Sequence, residues 1–600
     1  MTAREHARRR GAPRSTLVAA GLAACALLQF APAAQAAITV ELSGIDEGPA
    51  RDNVLAYLSL KRYATVDDLA PDAVERIFHR ADGEVADALR PFGYYQPKLE
   101  ATLTADGKNW IARLAVTPGP PVILAAATVS LEGPGADEPF LRELIDNPPL
   151  HAGQQLDHAA YDHLKGELQR RAASNGYLDA HYTLSDLAVD PQQLTATAVL
   201  TLDTGPRYRF GAVTIEQDAI KPALVRRYLR FHEGAWYDAG ALLRTQFALD
   251  DTQYFRGVEV VPGERDPAAL TVPVHIGARR NLRNKYTVGV GYATDFGPRV
   301  QFVWNRRLMN DSGHRFRLEA NLAETSQQLT LAYAIPIGDP AVEKAGLDLT
   351  ASDEVLGDAR VKSLILRPSV TNVRGRLQRV LFAEVTRTES IAGGEATRDT
   401  LVVPGITISP VPPGFAADNA VLSFIPSWFA QLRGSAAALG SDANWLQLHV
   451  SDQWRFKLAP GWYLLPRIEL GATLVKNFDQ LPTQYRFFAG GDRSVRGFAF
   501  NSLSPVETVP GTNPPEELRT GGKHLAVGSL EIERDLPRHF AVALFSDVGN
   551  AFNKFSDPLE YSVGVGVRYK LPFVAIGLDL AQPLSRNGSP RLHVNVNSVL

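Results

Sequence analysis

Among its 600 residues the sequence has one cysteine and two methionines, and beyond residue 30 it never runs to 18 consecutive apolar residues. One cysteine excludes a disulfide scaffold, and the missing apolar run excludes a transmembrane helix after the N-terminal segment. A formal charge of −3 speaks against a nucleic-acid binder by bulk charge. The Gly-x-Ser-x-Gly elbow of serine hydrolases does not occur. His158 and His163 share a helical stretch but lie five apart, on different faces, and nothing beside them completes a metal site. The residues point away from an enzyme, and no cofactor, metal or nucleic acid is expected.

The start of the chain is basic, with Arg4, Arg8, Arg9, Arg10 and Arg14, then apolar from Leu17 to Phe30, then small at Ala34-Gln35-Ala36. This pattern predicts a signal peptide over residues 1–36. Its removal takes away five arginines and Glu5, leaving −7, and carries off Cys25. Leu22-Ala23-Ala24-Cys25 also fits a lipoprotein cleavage box, which would leave a lipidated Cys25; the apolar run continuing through Leu28 favours the first reading. A mature chain without thiols suits an oxidising compartment.

Up to about residue 279 the sequence repeats every 80 residues or so. Leu89–Glu100, Ala172–Thr183 and Leu249–Val260 align with the pairs Tyr94-Tyr95, Tyr177-Leu178 and Tyr254-Phe255 in register. Each repeat reads strand, helix, helix, strand, strand. In the second, Asp157 is placed to cap a helix whose Ala160, Leu164, Leu168 and Ala172 share a face. Boundaries follow at 37–120, 121–206 and 207–279. A small sheet of this kind has free edges on which an extended chain can add a strand.

From Lys285 the period drops to two. Tyr286, Val288, Val290 and Tyr292 alternate with Thr287, Gly289 and Gly291, and sixteen such runs begin near 285, 299, 313, 326, 344, 360, 376, 398, 420, 443, 461, 523, 540, 560, 573 and 591. An even number of antiparallel strands returns both chain ends to one side, as a membrane barrel requires. The expected fold class is therefore α+β modules followed by a 16-stranded antiparallel transmembrane β-barrel over 280–600. A soluble sandwich or propeller also alternates, but with its apolar face turned inward.

One connection is out of scale. Residues 477–522 separate two strands and contain Tyr485–Pro505, rich in Phe and Arg, a mixture unsuited to a solvated tip; the segment is expected to fold into the barrel lumen. Val495-Arg496-Gly497 alone is weak, because Val373-Arg374-Gly375 repeats it elsewhere. The extended pattern of Phe488, Gly490-Gly491, Asp492 and Val495-Arg496-Gly497-Phe498, with Leu530-Glu531-Ile532-Glu533 and Phe545–Phe552, resembles the outer-membrane protein-assembly superfamily of BamA, TamA and the two-partner secretion transporters. Three modules before sixteen strands resemble its TamA branch, with the modules as POTRA domains. Leu571-Pro572-Phe573, in place of a Gly-Pro turn, and the terminal Leu600, in place of an aromatic residue, depart from the pattern.

The resemblance implies a cell outer-membrane location with periplasmic modules, and a loop arginine, Arg496, docked on Glu531 and Asp547 of the barrel wall. Gly490, Gly491, Asp492, Gly497 and Phe498 belong to the same gating or bracing motif. It also implies a function in inserting or translocating β-barrel proteins and autotransporters, with the lipid bilayer, unfolded clients and a TamB-like inner-membrane-anchored protein as partners. The proposed exit is a seam between the first and last strands, at Gly289, Gly291, Leu592, Val594 and Val596, where glycines and a short polar run weaken pairing. The alternative is a two-partner-type secretion channel or a phospholipid-transfer component.

Overall fold

The three repeats fold on one plan because each has a single apolar helix face and a sheet with one face to cover. The computed structural model describes residues 38–66, 69–107, 109–411, 427–509, 516–571 and 574–598. The leader 1–36 with Cys25, Pro572-Phe573 and Leu600 lie outside the described residues. One compact unit ends at Tyr208 and a second begins at Arg209.

In the first unit, strand Ile38–Ser43 pairs parallel with Asn109–Thr117, which pairs antiparallel with Lys98–Asp106. The second module repeats this with Ile123–Glu132, Thr195–Asp203 and His181–Asp190. The helix His158–Ser174 is capped by Asp157, whose side chain accepts from the Ala159 N–H at 2.8 Å. Its buried face is Tyr161, Leu164, Leu168 and Ala172, with Ala160 at the margin. The first module differs from the simple plan by carrying four short helices, Pro49–Tyr57, Ser59–Arg62, Pro71–Phe78 and Ala81–Leu89. Leu58 leaves helical geometry between the first two, and Pro71 reopens the third from its first turn, where a missing N–H costs nothing. The repeated tyrosines sit between helix and strand; Tyr177 is buried there and its hydroxyl donates to Glu138 at 2.9 Å.

The second unit opens with the third module, in which Arg209–Glu216 and Phe255–Pro262 flank Thr271–Arg280. Its helix Ala239–Asp250 is capped by Asp238. This module is fastened to the first turns of the barrel. The buried Tyr254 hydroxyl donates to Gly313 O at 2.6 Å, and Arg315 donates to Thr252 O at 2.9 Å while its guanidinium lies 4.5 Å over the Tyr254 ring. Arg230 grips Asp339 through bonds of 2.5 and 3.2 Å.

Antiparallel strands then run from strand one, Asn284–Ala293, to strand sixteen, Arg591–Ser598, and close into a barrel. Strand ten is broken at Trp454-Arg455 into Trp445–Gln453 and Phe456–Ala459, both paired with strand eleven, Trp462–Val475; counted as one, it makes sixteen. Strand nine begins at Trp428, beyond the expected start near 420, and residues 412–426 are outside the described set. Tyr286, Val288 and Val290 are 62, 55 and 64% exposed, whereas Arg317, Glu533 and Asp547 are buried. Apolar outside and charged inside reverses the order of a soluble sandwich and matches a wall that lipid covers. Among the described residues no helix is long and apolar enough to cross a membrane.

Candidate functional site

The segment after strand eleven folds back into the barrel because its own side chains need an interior. Phe487, Ala489, Val495, Phe498 and Leu503 bury against Leu525, Val527 and Ala551 of the wall, and Leu481 and Tyr485 bury against Leu401, Val403 and Trp445. Backbone and side chain pin it at intervals: Gln447 donates to Tyr485 O at 2.7 Å and Arg467 donates to Ser494 O at 2.7 Å.

At its apex Arg496 is 5% exposed and Asp547 is fully buried. The guanidinium forks onto Asp547 with bonds of 2.8 and 2.9 Å, and the Arg496 backbone N–H adds a third at 3.0 Å. Its Nη1 reaches Glu531 at 2.7 Å and Asp579 at 3.3 Å, its Nη2 reaches Ser529 at 3.2 Å, and the Phe545 ring lies 3.4 Å beneath it. Arg568 pairs with Asp579 and reaches Glu531 at 3.4 Å. Burial by itself would lower the Arg496 pKa; the bonds and field of Asp547 and Glu531 outweigh it and hold the group protonated more firmly than usual. Two guanidiniums facing three carboxylates form a network, buried at Arg496 and Asp547 and partly buried at Glu531, Arg568 and Asp579, in which every charge has a partner, the condition under which such a cluster is stable.

A second set of contacts runs from the loop to the seam. The Asp492 N–H donates to Asp295 at 2.6 Å, Thr294 Oγ1 donates to Asp492 at 2.9 Å, and His593 Nδ1 meets the same Asp492 oxygen at 2.5 Å. The Gly497 N–H donates to His593 Nε2 at 3.0 Å, which assigns the ring proton to Nδ1. Asp295 lies in the turn after strand one and His593 on strand sixteen, so the loop bridges the two edges of the barrel. Burial pushes the Asp295 carboxyl up to about 6, with the neighbouring Asp492 charge adding to the rise. Asp295, Asp492 and His593 place ligand atoms within 4.8 Å of one another, but both ring nitrogens of His593 are already engaged, a hydrogen-bonded relay more than a metal cage.

Gly490, Gly491 and Gly497 have φ of 96, 107 and 95°. A Cβ on Gly491 would sit 2.5 Å from Asp295 Oδ2, and one on Gly490 would strike the Ala499 carbonyl. The glycines thus let the loop fold tightly against itself and the first hairpin.

Strand one and strand two, Gly297–Arg306, share ten residue pairs; strand one and strand sixteen share two among the described residues, Tyr292 with Val596 and Ala293 with Asn595. Thr294 N–H continues the contact to Val594 O at 3.0 Å. Gly291 belongs to the seam, since a Cβ there would lie 2.9 Å from Val596 O. Gly289 pairs with Gln301 and Leu592 with Leu580, away from the recorded seam pairs. Sequence reasoning missed Asp295, Ser529, Arg568, Asp579 and His593. Asp579, the charge in Leu578-Asp579-Leu580, carried a readable parity signal; Asp295 in its turn carried none.

Residues 39–118 match the family model for the POTRA domain TamA domain 1, and residues 423–596 match the Omp85 superfamily domain. Among curated proteins, the outer membrane protein assembly factor BamA of Nitratidesulfovibrio vulgaris is 23% identical over 62% of this chain and 48% of its own length. The factor of the same name from Neisseria meningitidis serogroup B is 22% identical over 76% and 64%. The chain thus spans about half to under two thirds of these relatives. The crystal structure of Haemophilus ducreyi BamA lacking POTRA domains 1–3 superposes with a TM-score of 0.63 at 15% identity, covering 79% of this chain and 99% of that one. The chain carries N-terminal POTRA modules followed by a 16-stranded antiparallel β-barrel of BamA-like fold, set in the outer membrane with its modules in the periplasm.

Proposed function

We propose that the chain is an outer-membrane assembly factor of the TamA kind, which inserts or translocates β-barrel proteins and autotransporters through the seam between strands one and sixteen. The observation that carries this reading is the contrast, among the described residues, between two residue pairs at the seam and ten at the adjoining ladder. A short ladder opens at low cost, and an opened edge is a template for an incoming strand. The docked loop touches both edges through Asp492, Asp295 and His593, so its position and the state of the seam are linked. The match of residues 39–118 to a TamA-type POTRA domain supports a TamB-like inner-membrane-anchored partner docking on the modules.

Depletion of the protein in its host, with autotransporter surface display and outer-membrane phospholipid balance followed separately, tests the reading. Early loss of display with lipid balance intact is expected. Early lipid imbalance with display intact would favour the phospholipid-transfer alternative.

A further inference from the structure

Between strand two and strand seven, Leu377–Ala392, at the barrel end that meets the third module, the lumen wall lines an open-sided cavity of about 340 Å³. Six cationic side chains line it, Arg306, Arg307, Arg315, Arg317, Lys344 and Arg367, against two carboxylates, Glu319 and Asp348. Glu319 is engaged, accepting from Arg317 at 2.5 Å and from the Gln301 and Asn321 amides at 3.0 Å. Arg307 donates to the Leu282 carbonyl and the Gln253 side-chain oxygen, neutral groups that satisfy N–H bonds without cancelling charge, and Arg367 lies 3.7 Å from Glu384. Arg306 Nε is buried with no hydrogen-bond partner among the described residues.

Cations gathered in a walled cavity raise the local potential, and a buried donor without an acceptor adds a directional demand. An anion with several oxygens answers both. Guanidinium forks fit phosphate oxygens in pairs, and a tetrahedral phosphate offers them to cations arriving from several strands, where a planar carboxylate serves one or two. The volume equals roughly ten water molecules' share of liquid, room for a phosphate with a glycerol-sized substituent.

We propose that this cavity binds a phosphate group, carried by a free phosphate anion or by a lipid headgroup. The proposal stands apart from the assembly reading, since it uses neither the docked loop nor the seam.

The test is isothermal titration of the full mature chain in nonionic detergent. One arm uses inorganic phosphate, a second dihexanoyl phosphatidylglycerol below its micelle concentration, and a third dihexanoylglycerol, which lacks the phosphate. Binding in either phosphate arm is expected to weaken at least tenfold in Arg306→Gln/Lys344→Gln and to stay unchanged in the exposed Arg586→Gln. Binding in both phosphate arms supports recognition of the phosphate itself; binding in one alone identifies the source. Heat-modifiable migration on gels reports whether the barrel is folded, and if the double variant fails that check, Arg306→Gln alone, expected several-fold weaker, decides. No binding in either phosphate arm, equal binding of dihexanoylglycerol, or unchanged affinity in the folded variant overturns the proposal.

Discussion

Lysine in place of Arg496 keeps the charge and loses the fork. A single ammonium cannot reproduce the paired bonds to Asp547 together with those to Glu531 and Ser529. Arg496→Ala is expected to cost about 3–5 kcal/mol, the usual result of leaving a buried carboxylate without its partner, and Arg496→Lys to recover only a minor part. Denaturant unfolding in detergent measures both; a lysine variant as stable as the parent contradicts the fork. Asp295 yields a pH prediction. Its ordinary carboxyl value of 3.8 is raised to about 6, chiefly by burial, so the docked state takes up a proton that the released state gives off. The stabilisation from this group is complete below about pH 4 and lost as pH rises through about 6. Asp295→Asn keeps an oxygen for the Asp492 N–H and is expected to flatten the part of the pH dependence between 4 and 7 that Asp295 contributes. Hydrogen exchange of residues 486–503 in both proteins checks it, and parallel pH profiles would contradict it.

Among the elements, the third module and the docked loop are held by different means, and this separates their predicted responses. Tyr254 and Arg230 fasten the module to Gly313 and Asp339. Tyr254→Phe with Arg230→Ala is expected to raise hydrogen exchange across residues 209–280 while strands of the barrel keep their protection; equal loosening of module and barrel would show that the two do not separate. In the loop, Gly497→Ala places a Cβ 3.2 Å from Pro583 N in a backbone of φ 95°, and a strained residue of this kind costs about 1–3 kcal/mol. The variant should make the loop accessible to protease before the barrel unfolds, and a loop as resistant as the parent's would contradict this. The elements were readable from sequence wherever one physical signal dominated. Period two marks a strand that meets lipid on one side, and Leu530-Glu531-Ile532-Glu533 stands in the wall with the predicted parity. The break of strand ten at Trp454 and the extra helices of the first module left no such mark, because a bulge and a helix restart depend on what packs beside them. Arg496, Glu531 and Asp547 were visible as a motif, whereas Arg568, Asp579 and His593 joined the site only through the closing of the sheet.

In the molecule as a whole, the barrel closes between strands one and sixteen through the docked loop and, among the described residues, two residue pairs. Two charge networks flank that loop: Arg496 anchors it to Glu531, Asp547 and Asp579 of the wall, and Asp492 ties it to the first hairpin and the last strand. A reversible lock across this seam tests the proposed client entry directly. Tyr292 and Val596 face each other across the seam, and the chain's one cysteine, Cys25, lies in the segment expected to be removed. Tyr292→Cys/Val596→Cys, reconstituted in liposomes, is to be assayed for insertion of an unfolded β-barrel client when oxidised and again after reduction. Oxidation is expected to abolish insertion and reduction to restore it; insertion at the parent rate with the seam fully cross-linked would contradict client entry there.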